Sequence, residues 1–572
     1  MPTLAVVSFN IVCATLGAFI ALFGLISFLF KEKFYLSETL ISTIAGVIFS
    51  PHAANLIRPL EYALGSEETL NTITLDFSRL VLGIQLFIAG VQLPSKYLQL
   101  EWRSLAYLLG PGMIGMWLLS SFLIWAMVPN LTILYAMAVG ACITPTDPVL
   151  ANNIVKGKFA DKNIPRELQR IIIAESGAND GLGYPFLFFA LYLIKFVLEG
   201  GRGSHGNAGT AIGMWMYEIW VYEILLGIIY GAVVGWLAKE LLHWAEKNKY
   251  VDRESFLVFA IAVALFIVGT AGMIGTDDVL ACFIAGNTFT WDDWFRVETE
   301  DDSLQPTIDM LLNVAFFIWI GATAPWYEFA HNSVIPLYRL VPLGIMILLF
   351  RRPPVVLLMH KRIHQIEHIR QAMFVGFFGP IGVSALFYLY VTIDWLRKNI
   401  QYEGEERDDA RRLEEILRIV IWFSVVCSVF VHGLSIPLGK LGFYIPRTLS
   451  RAISEMSETN LDFERNRPAG TDGTGTSGSP HGGTSRVPTP PRGWKIGTPI
   501  PAHLGDSASA HSPKNGTGTP EEGNVTGRNP NLETGNAFWN RSIRFPDEES
   551  GPATPPTERT AGQEKHDVSE KV

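Results

Sequence analysis

Residues 171–189 read IIIAESGANDGLGYPFLFF, an apolar run long enough to cross a bilayer that nevertheless carries Glu175, Asn179 and Asp180. At that depth each ionisable group costs roughly a few kcal/mol on insertion scales, which marks it as functional by default. Positions four and five apart are separated by roughly 40° and 140° around a helix. Glu175 therefore shares a face with Asn179 while Asp180 looks to one side, and the two carboxylates require different partners. An isolated aspartate in a water-filled membrane cavity holds either a proton or a small cation, not both. That is the minimal apparatus for exchanging one for the other.

Just upstream, the run ITPTDPVLANN places Thr146 and Asp147 between Pro145 and Pro148. Two prolines three apart remove ladder hydrogen bonds and push their preceding residues away from helix, so the backbone opens there. Opened backbone at bilayer depth lines a cavity or is buried in protein, and freed carbonyls are good cation ligands. Asp147 either caps the second half-helix or ligates a cation there, and the two roles are compatible. Near the other end, FVGFFGPIGVSALFY carries Gly376, Gly379, Pro380 and Gly382. A pair of interrupted spans, one in each half, points to inverted repeats crossing at a midplane site. In LLFRRPPVVLL, Arg351 and Arg352 sit inside an apolar span; arginine does not deprotonate, so at depth it must meet a carboxylate, Glu175 or Asp180. One arginine is expected to be buried and the other to reach an interface. Asp277 and Asp278 form either a short external turn or the mouth of a cation path, and Asp76 with Arg79 reads as a local ion pair.

The elements that must position these groups are apolar segments separated by short polar loops over roughly the first 440 residues, the pattern of an all-α polytopic membrane protein. Candidate spans are 4–30, 37–57, 72–93, 104–128, 131–155, 168–198, 214–242, 254–273, 277–291, 306–325, 335–360, 369–393 and 413–438, about thirteen crossings. With an external N-terminus, the Lys/Arg-rich loops fall on the cytoplasmic side. The mixed-charge stretch 397–412 departs from that rule and is expected to be an external amphipathic helix. Counted from the second span, the two interrupted spans fall fourth and fifth of six. The formal net charge of -9 argues against nucleic acid as a partner. The four cysteines, Cys13, Cys142, Cys282 and Cys427, lie in apolar runs without CxxC spacing and read as small packing residues. The domain division is 1–445, in the membrane, and 446–572, a Gly/Ser/Thr/Pro-rich cytoplasmic tail that cannot bury a core and is mostly disordered. Its proximal piece has helical spacing, and its Ser-Pro and Thr-Pro pairs are candidate sites for kinases or regulatory proteins.

The order TPTDP, ESGANDG, FRRPP and GFFGPIGVSALFY resembles the fungal plasma-membrane sodium/proton antiporters of the monovalent cation:proton antiporter superfamily. The resemblance implies a thirteen-helix inverted-repeat fold, homodimeric, with a scaffold and a mobile core containing two crossed helices unwound around Pro145, Pro148, Gly379 and Pro380. It implies Na⁺ bound at Asp180 and Asp147, with Thr146, Ser176 and Asn179 nearby, and Glu175 paired with Arg351 or Arg352. It further implies exchange of Na⁺ or Li⁺ for H⁺ at the plasma membrane, electroneutral because in this superfamily an Asn-Asp pair such as Asn179-Asp180 accompanies electroneutral exchange, with K⁺ a further candidate cargo and no cofactor. A cation channel or an ion-sensing receptor on the same fold is the alternative. An intramembrane aspartyl protease would need a GxGD signature, which neither Asp147 nor Asp180 has.

Overall fold

The computed structural model describes residues 7–30, 36–148, 150–151, 164–198, 206–300, 302, 304–402 and 405–435. The chain divides into a unit Met1–Ala469, which holds all of these, and a unit Gly470–Val572. The expected tail, its proximal helix and its candidate phosphorylation sites lie outside the described residues.

Each predicted span contains a helix among the described residues, although the one expected over 37–57 ends at Phe49. In order they are α1 (Ser8–Phe28), α2 (Glu38–Phe49), α3 (Glu67–Gln92) and α4 (Trp102–Met127). After these come α5, opening with Ile133–Cys142 and resuming at Pro148, and α6, in pieces Arg166–Gly181 and Tyr184–Phe196. The second part comprises α7 (Ala208–Lys247), α8 (Arg253–Ile274), α9 (Asp278–Phe289) and α10 (Leu304–Thr323). It ends with α11 (Leu337–Phe350 and Pro353–Met359), α12 (Ile369–Phe377 and Val383–Asn399) and α13 (Asp408–Ser435). Among the described residues, 8 helices are long and apolar enough to cross a membrane. Leu25, Phe266, Met273 and Leu358 lie more than half exposed on their outer faces, as lipid-facing residues should.

Two spans expected to be continuous are broken. α6 stops at Gly181 and restarts at Tyr184 with Pro185 in its first turn, and α11 stops at Phe350 and restarts with Pro353 and Pro354. Proline needs no hydrogen-bond acceptor in a first turn, so each restart is a stable helix start. The external amphipathic helix does not form. α12 runs on to Asn399, a two-residue antiparallel pairing joins Gln401–Tyr402 to Glu405–Glu406, and α13 begins at Asp408. The mixed charges of that stretch pair across the corner, Arg397 with Glu414 at 2.6 Å and Arg407 with Asp409 at 2.5 Å.

The packing also fixes the repeat. α2 lies on α10 and α3 on α9, while α4 lies on α11. With α1 to α6 as one repeat, α7 as connector and α8 to α13 as the other, these contacts join second to third, third to second, and fourth to fourth. That is the pattern of a pseudo-two-fold axis. The count from the second span was therefore one out, and each crossed helix is fifth of six. Glycines repeat the symmetry: a methyl added at Gly46 would lie 2.9 Å from Gly321 Cα, and one added at Gly90 would lie 3.0 Å from Gly286 Cα. Backbones approach that closely only without side chains, and apolar helices in lipid associate through such packing.

Gly321→Leu and Gly90→Leu should each lose about 1–3 kcal/mol through overpacking, read as a lower Tm and less monodisperse protein in detergent. Gly24→Ala, with nothing within 4 Å of the new methyl, should match wild type. Equal stability of all three would show that the close crossings do not hold the bundle.

Candidate ion-binding site

The interrupted helices α5 and α12 cross back to back, and their loose backbones bond to each other. Asp147 N–H donates to Pro380 O at 3.0 Å. The Asp147 carboxylate accepts from Leu150 N–H at 3.3 Å, at the restart of its own helix, and from Val383 N–H at 2.5 Å, at the restart of α12. The expected cap is present, and it serves two helices. Gly382 makes room for it, since a methyl there would overlap the Asp147 carboxylate. Arg351 does the opposite task. Its guanidinium donates to Ile143 O, to Thr144 O and Pro145 O at 3.2 Å each, and to Gly379 O, so it collects the free carbonyls of both first half-helices. Two positive helix ends thus face a carboxylate and two negative ends face a guanidinium.

Arg352 is the partner of Glu175. Two hydrogen bonds of 2.8 and 2.6 Å make the pair bidentate, and Arg352 Nε–H also donates to Val375 O at 3.0 Å. Both arginines are 2% exposed, so the expectation of one buried and one interfacial arginine is corrected. So is the rule that a deep arginine needs a carboxylate, because helix-end carbonyls satisfy Arg351.

Asp180 differs from every other carboxylate at the crossing. It is fully buried in the last turn of the first half of α6, and among the described residues neither of its oxygens has a hydrogen-bond partner. Its polar neighbours are the Ser384 hydroxyl and the Asp147 carboxylate. The side chains of Asn179, Thr146 and Ser176 are spent on one another. Asn179 donates to Thr146 Oγ at 2.7 Å and accepts from Thr146 N–H at 3.1 Å, and the hydroxyls of Thr146 and Ser176 lie 3.2 Å apart. A buried carboxylate is costly without a partner. Here it also stands at the negative end of a helix. The orphaned oxygens of Asp180, beside the Asp147 carboxylate, fit a small cation, with a proton as the other neutralising ligand.

The profile of the family described as "Sodium/hydrogen exchanger, transmembrane" matches residues 18–438. The chain belongs to the sodium/hydrogen exchanger family. It is 36% identical over 465 residues to the Na(+)/H(+) antiporter 2 of Zygosaccharomyces rouxii, covering 80% of this chain and 56% of that protein. To the Na(+)/H(+) antiporter of Schizosaccharomyces pombe it is 33% identical over 451 residues, 77% of this chain and 93% of that one. The chain spans only 44% of the Saccharomyces cerevisiae Na(+)/H(+) antiporter, so about half of some relatives has no counterpart in the match. Among solved structures, the sodium proton antiporter of Methanocaldococcus jannaschii shares the fold, with a TM-score of 0.53 at 18% identity, covering 75% of this chain and all of that one. The resemblance seen in the motifs is thus shown at the level of family and fold, that of a multi-pass membrane protein.

Several residues that the fold brings to the site carried weak signals in the sequence. Ser384 and Tyr388 are one turn apart in α12, and Tyr388 O–H donates to Asp180 O at 2.5 Å and Gly181 O at 3.3 Å. From α13, Ser428 accepts Ile381 N–H at 2.7 Å, and a ring nitrogen of His432 lies 3.0 Å from Phe377 O, so both ends of the unwound α12 segment are tied to that helix. The polar residues 384, 388 and 392 fall on one face, a periodicity that could have exposed the first two; nothing local marks Ser428 or His432. Asp277 caps α9 through Leu280 N–H at 2.9 Å, as a turn between spans would, yet its second oxygen is buried without a partner. Asp278 pairs with Arg79 at 2.6 Å, which replaces the local Asp76–Arg79 pair. Among the cysteines, Cys142 and Cys282 are buried as expected, whereas Cys13 is exposed. Outside the membrane, hydrogen bonding to Arg296 holds the Asp293 carboxyl below the usual range, and Asp293 accepts from Ser95 N–H at 3.1 Å, tying two loops.

A double-mutant cycle separates the two arginines. Glu175→Gln and Arg352→Leu should each cost about 3–5 kcal/mol, by stranding a buried charge, and the double variant should recover much of the loss. Arg351→Leu should be as damaging alone but show little coupling to Glu175→Gln. Strong coupling of Arg351 to Glu175 in thermal denaturation would contradict the geometry.

Proposed function

We propose that the chain is a secondary active antiporter that moves Na⁺ or Li⁺, with K⁺ a further candidate, out of the cell against H⁺. The observation that carries the reading is Asp180, buried with two unpartnered oxygens beside Asp147 at the crossing of two unwound helices. The names of the relatives support the same cargo. Facing the cytoplasm, Asp180 takes Na⁺. Facing outside, it releases Na⁺ and takes a proton, and only the neutralised site crosses the bilayer. Asp147 helps to ligate the cation while capping two helices; Thr146, Asn179 and Ser176 hold the lining in place. Asp277, through its second oxygen, is the candidate on the cation path, while Asp278 is committed to Arg79. The protein acts at the plasma membrane as a homodimer, with its N-terminus outside and the tail in the cytoplasm, open to kinases.

In liposomes with a pH-sensitive dye, Asp180→Asn should abolish Na⁺- and Li⁺-driven pH change alike. It should fold at wild-type stability or better, because an amide removes the cost of a buried charge. Residual proton-coupled Na⁺ flux in that variant would defeat the scheme. Since Glu175 is neutralised by Arg352 and Asn179 carries no charge, a single titrating carboxylate gives one proton per cation. Exchange should therefore not respond to an imposed membrane potential, and a clear acceleration, with leaks controlled, would require a second transported charge.

A further inference from the structure

Away from the crossing, a groove of about 610 Å³ opens between α4 and α11. Pro111, Gly115 and Leu119 form one wall, Val355 and Leu358 the other, and Tyr107 and Arg362 stand at one end. Helix irregularities create it. α4 widens into a π-helical turn over Leu108–Gly112 around Pro111, and α11 restarts at Pro353 directly after the arginines that hold the crossing. Gly115 lets the two walls meet at the base, where a methyl would lie 3.0 Å from Val355.

Length and charge identify an occupant. The wall from Tyr107 to Leu119 rises roughly 18 Å, against roughly 15 Å for half a hydrocarbon core. The groove therefore runs from one interface to the midplane, the reach of one acyl chain. Trp102, 59% exposed, and Tyr107 mark that interface. Basic groups cluster there: Arg362 sits over the Tyr107 ring at 5.5 Å, Arg103 lies one turn before Tyr107 on the same face, and Lys361 is adjacent and exposed. The neighbouring acid, Glu101, is already engaged by Gln365 at 2.7 Å and His364 at 3.3 Å.

We propose that this groove binds one acyl chain of an anionic phospholipid, whose headgroup is held by Arg362 and Arg103. The positive-inside rule puts this end on the cytoplasmic side, where anionic lipids concentrate. The second half of α11 is both a groove wall and the continuation of Arg351 and Arg352, so a seated lipid braces the segment that closes the crossing. The site does not depend on which ion is carried.

The test uses the full chain in phosphatidylcholine vesicles carrying a trace of phosphatidylserine or phosphatidylcholine with a photoactivatable group in one acyl chain. After irradiation, adducts should concentrate on residues 107–119 and 353–359, about tenfold more with the serine lipid. Arg103→Gln/Arg362→Gln should erase that preference, while labelling around Phe266 on α8 should not discriminate between the probes. If the double variant does not insert, Arg362→Gln alone should reduce the preference. Equal labelling by the two probes, adducts spread evenly over lipid-facing helices, or an unchanged preference in the variants would overturn the proposal.

Discussion

Interrupting two helices in the middle of a membrane creates four helix ends whose backbone groups have no water to bond, each unsatisfied group costing several kcal/mol. The structure settles all four with two side chains. Asp147 receives N–H groups from both restarting helices, and Arg351 collects carbonyls from both ending ones. Either charge alone would be prohibitively buried. Set against oriented helix ends, each is compensated without being neutralised. Other features serve this arrangement: α11 breaks where it does to present Arg351 and Arg352, Gly382 lacks a side chain so that Asp147 can reach α12, and α13 ties down the loose segment through Ser428 and His432.

This division explains why Asp180 stands apart. A residue that caps helices or neutralises an arginine cannot change its charge without loosening the fold. Asp147 and Glu175 are bound in that way, and Asn179, Thr146 and Ser176 are paired among themselves. Asp180 has no such structural duty through its carboxylate. It is the acidic group at the crossing on whose carboxylate no helix end and no arginine among the described residues depends.

What could be read in the sequence was whatever a residue type states about its own backbone. Proline and glycine in TPTDP and GFFGPIG announced the two interruptions, and apolar runs located every span. The carboxylate and its neutral neighbours were legible because polar groups at bilayer depth are rare. What failed were partner assignments. Arg351 was expected to seek an acid because helix-end carbonyls leave no mark in a sequence. Asp76 looked an adequate partner for Arg79 by spacing along one helix, whereas Asp278, 199 residues away, is the one that the fold supplies. The break after Gly181 was missed for a related reason: the run stays apolar through it, and only the Gly-Tyr-Pro restart hints at it.

Alternating access needs part of the bundle to move past the rest, and the distribution of bonds shows where that is cheap. The buried polar contacts at the site join α5, α6, α11, α12 and α13 to one another, while Arg79–Asp278 and the contact of Gln85 with Asn313 join α3, α9 and α10. Between the two groups, α6 meets α9 through Gly177 against Phe283 and Gly181 against Leu280. That seam is smooth and apolar, so sliding along it exchanges one packing contact for another and breaks no buried hydrogen bond. Polar links away from that seam include Trp215 Nε1–H to Pro185 O at 2.7 Å and Tyr192 O–H to Glu218, which join α6 to α7, and Arg418 of α13, which pairs with Glu328 at 2.8 Å and approaches Glu67 at 3.4 Å. Partly exposed ion pairs of that kind are worth about 1 kcal/mol or less. On the proposed exchange, a rigid polar core beside a greasy seam would let a site with a single free carboxylate be carried across intact, instead of being taken apart and rebuilt on each side.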